Sequence, residues 1–270
     1  MAGFFGLFNY EKEGPGVEKN APKKKRFIEF FEIYFKNFWK LCISSIWYWL
    51  LTLLGVTSGF AAAGMTNITR NMAVDTHSFG TSDFFSTIKK NWKQALPAGI
   101  INIVIIAFLA YDIYFFYYQF MATGQTFHLV FLAVCITVLL IFFIVRYYLW
   151  FILTTFKLKL KQIYINSLKL SLLGIKNNLL IFVFMLLLYG LCYLIGFIGM
   201  PITNFLFILV VFFVVPPVRF LIIQFNVFNV IKKYMIDPYY SEHPDDDIEL
   251  RRRLGVYVDD TPTYTEEDLL

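Results

Sequence analysis

Hydrophobic positions in this chain come in long blocks rather than in alternation. Apolar stretches run over 38–54, 56–74, 95–118, 127–150, 177–199 and 202–231. A helix needs roughly 20 residues to cross the hydrocarbon of a bilayer, and the last four stretches meet that length. The first is short but rich in Trp and Leu. The second is the weakest: Gly55, Gly59 and a run of alanines lead into Thr66, Asn67 and Arg70. Three further segments show helical spacing with one apolar and one polar face. Segment 27–40 places Phe27, Phe30, Phe31, Tyr34, Phe35 and Phe38 together. Segment 82–94 does the same with Phe84, Phe85, Ile88 and Trp92, and 162–176 is similar but less regular. Such helices suit the headgroup plane.

Each amphipathic segment ends in a Lys-Asn pair (Lys36-Asn37, Lys90-Asn91, Lys176-Asn177) and leads into a pair of apolar stretches. The chain is therefore read as three related units, each an interfacial helix followed by a helical hairpin. The expected fold is all-α: a polytopic transmembrane bundle of about six spans with amphipathic interfacial helices. Residues 1–26 and 237–270 form an N-terminal and a C-terminal tail around the transmembrane domain 27–236.

Composition reinforces the membrane reading. Of 270 residues, 58% are hydrophobic and 16% charged, against about 25% charged in soluble domains. Mean hydropathy is +0.61. Charge then sets the expected orientation, because Lys and Arg collect on the cytoplasmic side. Basic clusters at Lys23 to Arg26, Lys89 to Lys93, Lys157 to Lys176 and beyond Lys232 all fall on one side if segment 56–74 spans. The opposite connections, near 55–57, 119–126 and 199–201, hold no Lys or Arg. Both termini are thus expected in the cytoplasm, with no cleavable signal peptide.

Candidate chemistry is sparse. Three charges fall in or near spans: Asp112, Arg146 and Arg219, the last just after Pro216-Pro217. An ionisable group in a span is a functional candidate, and an Arg beside a proline bend suits a cavity wall. Asn102, Thr137, Thr203 and Asn204 are the polar side chains available for a path beside Arg219. Tyr111, Tyr114, Tyr117 and Tyr118, and at the other end Tyr147, Tyr148 and Trp150, read as interfacial belts. Gly55, Gly59 and Ala63 stand four apart, the small-residue spacing that lets helices approach. Cys42, Cys135 and Cys192 read as apolar packers. His77, His128 and His243 lie too far apart in the chain to suggest a metal site. With no Walker-type loop, no His-Glu-x-x-His and no paired nucleophile and base, the chain is expected to be no enzyme, to take no cofactor and to meet no nucleic acid.

The stretch from Gly3 through Asn9 to Gly16, together with Leu53 to Met65 around Thr57 and Gly59, and Asp83-Phe84-Phe85 through Trp92 to Ala95, resembles the YesL-like bacterial membrane proteins. Leu54 stands where that family usually has Pro. The resemblance implies a multi-pass protein of the bacterial plasma membrane, with no established activity, that accompanies carbohydrate uptake. It points to an auxiliary or assembly subunit of an ABC sugar importer. The partners so implied are the lipid bilayer and a permease, and Asn9, Gly55, Thr57, Gly59, Ala63, Phe84, Phe85 and Trp92 are the candidate residues for partner contact or helix packing. The alternative is a stand-alone small-solute transporter or channel, for which a wet cavity near mid-membrane would speak.

Overall fold

In a computed structural model of the chain, the described residues are 26–74, 76, 78–197, 201–243 and 248–254, the side chains of 201–203, 249, 252 and 253 apart. The N-terminal tail with Asn9, His77 and residues 255–270 lie outside them. The described residues are all-helical: α1 (Arg26–Lys36), α2 (Phe38–Leu53), α3 (Ser58–Ala73), α4 (Thr81–Thr123), α5 (Thr126–Thr155), α6 (Leu160–Leu173), α7 (Ile175–Phe197), α8 (Pro201–Leu209), α9 (Val215–Ile231), α10 (Asp237–Glu242) and α11 (Ile248–Arg253). Two π-helical turns, Val210–Val214 and Lys232–Ile236, join α8 to α9 and α9 to α10.

Four helical stretches are long and apolar enough to cross a membrane: Thr81–Thr123, Thr126–Thr155, Ile175–Phe197 and Asn204–Glu242. The chain is a membrane protein. α2 and α3 have 16 residues each, about 24 Å at the α-helical rise, and form a shorter hairpin between the long helices. The expected interfacial segment 82–94 is not a separate helix. It is the first part of the 43-residue α4, which runs on through Pro97.

The turn between α2 and α3 forms without the proline usual in the resembling family. Gly55 takes φ 65, a left-handed conformation that Gly adopts without the Cβ penalty. The Thr57 hydroxyl donates to the Leu51 carbonyl at 2.5 Å and locks the bend. α3 then passes through the centre of the molecule, packed against α2, α4, α5 and α9. Its close partner is α4, where a Cβ added to Gly59 would stand 2.9 Å from Gly99 Cα and closer still to the Ala95 carbonyl. Gly64 is pressed by the Phe84 ring, with 2.7 Å to a built Cβ. The small-residue stripe is therefore real at Gly59 and Ala63, both buried, but Gly55 serves the turn and has nothing within 4 Å of its Cβ position.

The proline-bearing turn of the last long helix explains why α2 lies beside it. In a regular helix the amides of residues 216 and 217 bond the carbonyls of residues 212 and 213, and proline has no N–H to give. Here the Trp49 indole Nε1–H donates to the Phe212 carbonyl at 3.0 Å, and the Ser45 hydroxyl reaches the Phe213 carbonyl at 3.5 Å. Side chains of α2 thus supply the donors that α9 lacks. The π turn at 210–214 falls on the same stretch.

Packing tightens toward the end of the bundle that carries the lysines. There Tyr148 and Trp150 are buried core residues, not a headgroup belt as their aromatic character suggested. The Tyr148 hydroxyl donates to Asn178 Oδ1 at 2.8 Å and pins α5 to α7. Toward the other end, α4, α5 and α7 expose mostly apolar side chains, with Tyr111, Tyr114, Tyr117 and Tyr118 exposed near the tip of α4. The Lys-Asn pairs have a shared local geometry in two cases: the Asn37 and Asn91 amides each donate to the carbonyl four residues earlier, at 3.1 and 3.0 Å. Asn177 instead reaches across to the Asn226 carbonyl.

Candidate functional site

Two of the three charges singled out from the sequence meet in one place. Arg146 of α5 and Arg219 of α9 line a cavity of about 900 Å³ bounded by α2 to α7 and α9. Tyr48 lies about 15 Å along α2 from Phe38, and Tyr189 about 21 Å along α7 from Ile175; both line it too. The cavity thus lies between apolar stretches well away from the helix starts, where an arginine is expensive and calls for a partner.

Arg219 donates to the Tyr48 hydroxyl at 2.9 Å. Its guanidinium lies 4.9 Å from the Phe220 ring centroid and 5.9 Å from that of Tyr48, positions where the ring face attracts a cation. Tyr189 stands in the same cavity, across from α9. Because the Tyr48 oxygen accepts from the arginine, its own hydrogen remains available to a further acceptor. Arg146 has a ring beneath it, Phe143 at 5.8 Å, but its Nε has no hydrogen-bond partner. Two buried neutral groups beside them are also unpartnered: the Gln224 amide oxygen and the Thr66 hydroxyl, with Gln224 only 1% exposed and Thr66 fully buried. Buried polar atoms are normally satisfied. Several open valences around one space, with two cations and no carboxylate among the cavity's lining residues, fit an anionic ligand.

Arg70 shows an arginine in the same fold whose terminal nitrogens are well bonded. It donates to Asn67 Oδ1, to Asn71 Oδ1 at 3.0 Å and to Thr155 Oγ1 at 2.5 Å, with the Phe151 ring at 5.8 Å. It lines a second, more polar cavity of about 480 Å³ that Leu250 and Leu254 cover in part.

The remaining candidates fall elsewhere. Asp112 does not reach the cavity; it lies half-buried on α4 near Cys135. The expected polar path is not assembled. Asn102 is buried on α4 away from the cavity lining, Thr137 is exposed and bonds back to the Ala133 carbonyl, and Asn204 is exposed. The Thr203 side chain lies outside the described residues. Phe84 is core packing against Gly64, Phe85 stacks edge-on with Trp47 at 5.0 Å, and Trp92 is half-exposed under Lys93. Thr57 is a turn residue. Among the described residues no three His, Cys, Asp or Glu side chains gather as a metal site.

Tyr48, Tyr189, Gln224 and Thr66 were not expected at a site. Nothing in their spacing marks them, since they come from four different helices. The available signal was a polar tip inside an otherwise apolar span.

The fold and the cavity define an all-helical membrane protein with a cationic pocket between its helices. Residues 41–113 match the family model described as Protein of unknown function, DUF624, to which the YesL-like proteins belong, so the resemblance read from the sequence stands over that segment. No curated protein and no solved structure matches the chain.

Proposed function

We propose that this protein binds an anionic small solute inside the bilayer and moves it across, using the cavity of Arg146 and Arg219 as its binding site. The observation that carries this reading is the pair of arginines in one intramembrane cavity with unpartnered polar atoms beside them and no carboxylate in its lining. It favours the stand-alone transporter among the functions expected from the sequence. In this reading the α2–α3 hairpin counts as two short spans, giving six, with both termini cytoplasmic in a bacterial plasma membrane. The shared geometry at Asn37 and Asn91 supports related helix-hairpin units. Nothing in the reading calls for a catalytic step.

Reconstitution tests it. Proteoliposomes containing the protein should take up or release a panel of organic anions faster than protein-free vesicles, and an Arg146→Gln, Arg219→Gln double variant that folds should not. Equal flux in the two would remove the reading.

A second reading, the auxiliary subunit of a sugar importer, has one structural feature in its favour. Phe27, Phe31, Phe35 and Trp39 form a continuous exposed stripe along α1 and the start of α2, as a docking face would. Recovery of a permease pair on gentle-detergent purification, lost when Phe31 and Phe35 become Ser, is its test.

A further inference from the structure

We propose that the ligand of the two-arginine cavity is itself a lipid, an amphiphile with a phosphate-bearing head group that enters sideways between α5 and α7. This rests on the two-arginine cavity binding an anion, as above, and puts a lipid in place of the small solute.

Three observations point this way. The first is where the cavity opens. α5 and α7 are pinned together at the lysine-bearing end by the bond from Tyr148 to Asn178, and farther along both line the cavity with exposed apolar residues. The second is what lines the mouth. Ile141, Leu179 and Leu186 line the cavity and are 44%, 62% and 58% exposed. They sit on helices that face hydrocarbon, so the opening leads into the lipid phase. A free anion would have to cross hydrocarbon to arrive by that route, and charge transfer into hydrocarbon is strongly unfavourable. A lipid's head group also leaves water on that route, but its chains hold it at the apolar mouth throughout and the two arginines receive its charge.

The third is the match of floor and walls to the two ends of such a molecule. The walls are aliphatic and aromatic, and about 900 Å³ is far more than an inorganic phosphate fills. The floor offers Arg146 and Arg219 to phosphate oxygens, as arginine suits phosphate geometry. Thr66 and Tyr48 have hydroxyl hydrogens to give to the same oxygens. The unpartnered Gln224 oxygen accepts, which a phosphodiester cannot satisfy but a head-group hydroxyl can. The ligand class is therefore a phospholipid whose head group carries both a phosphate and a hydroxyl.

The experiment uses the full chain, purified in mild detergent and stripped of lipid. Phosphatidylglycerol, phosphatidylcholine with the same chains, glycerol phosphate and inorganic phosphate are added separately. Melting temperature and native mass spectrometry are read in each case. Phosphatidylglycerol should be retained one-to-one and raise the melting temperature. Phosphatidylcholine should do neither, and the two soluble phosphates should act only at far higher concentration. Arg146→Gln removes a side chain with no hydrogen bond in the structure, so it should fold normally and weaken phosphatidylglycerol retention at least tenfold. Leu179→Trp, at an exposed mouth position, should block retention without touching either arginine. Equal retention of the two lipids, or unchanged retention in Arg146→Gln, overturns the proposal. Stabilisation by soluble phosphate that Arg146→Gln abolishes and Leu179→Trp leaves intact would keep the anion site and reject the lipid. Failure of every anion to bind would reject both.

Discussion

α3 and α7 invert the rule that holds in water. α3 is the less apolar of the two, with Thr66, Asn67, Thr69, Arg70 and Asn71 along its length, yet eleven of its 16 residues are buried. α7 is almost entirely apolar, and four of its 23 residues are buried. Lipid explains the inversion. Hydrocarbon tails are as apolar as Leu, so burying α7 would gain little, and what draws helices together is close packing and polar pairing. α3 provides both, through Gly59 and Gly64 on one side and Arg70 with its amide and hydroxyl partners on another. Of this pair the more polar helix joins the core and the greasier one makes surface.

The strongest way to break that contrast is to thicken α3. Gly59→Leu puts a side chain where even a Cβ meets the α4 backbone. It should lower stability by about 3 kcal/mol or more, read as the midpoint of unfolding in mixed micelles. An unchanged midpoint would show that α3 and α4 are not tightly joined.

Trp49→Phe keeps the ring and removes the donor to the Phe212 carbonyl. A loss of about 1–3 kcal/mol is expected, the usual consequence of leaving a buried acceptor bare. Adding Ser45→Ala should cost less than its effect alone, because the two donors serve adjacent carbonyls on one turn. Full additivity would mean that they act separately.

α1 lies between the two extremes. Its Tyr34 is buried against the core, and burial, with Cys42 nearby, pushes the phenol up to about 12. The neutral form is thus the one the folded state holds. Stability from Tyr34 is intact below pH 10, the ordinary phenol value, and is lost as pH rises through about 12. Amide exchange in α1 should accelerate across that window in the parent protein and respond less in Tyr34→Phe. Identical profiles would place the phenol in water.

The smallest effect belongs to α7. Leu187, 67% exposed, faces lipid, and Leu187→Ala should shift stability by no more than about 0.5 kcal/mol. A loss the size of a core truncation would show that another surface covers this helix.

The long helices were legible because hydrocarbon demands length and apolarity in one continuous run, and 127–150 and 177–199 supplied both. The boundary at 94 was misplaced for a related reason. Lys89, Lys90 and Lys93 mark a change of solvent, but a change of solvent need not end a helix, and α4 carries on through it. Arg146 and Arg219 were visible as charges out of place; that they share a cavity was not, because residues 73 positions apart in the chain meet only through the packing of α5 against α9. Tyr148 and Trp150 misled because an aromatic near a helix end looks the same in sequence whether it faces headgroups or a glycine such as Gly174. Gly59 was singled out by its spacing, and in the fold its Cβ position meets the α4 backbone. Gly55, on the same spacing, turned out to be needed for its positive φ.

The loan of two donors from α2 to the proline turn has a bearing on how the chain is made. The last long helix leaves the ribosome with two carbonyls that its own backbone cannot cover, and hydrocarbon offers them no water. It rests more stably in the bilayer once α2, synthesised more than a hundred residues earlier, stands beside it. The first apolar helix is therefore a template for inserting the last. A chain that begins after residue 57 should integrate its middle helices normally and hold 201–242 less firmly.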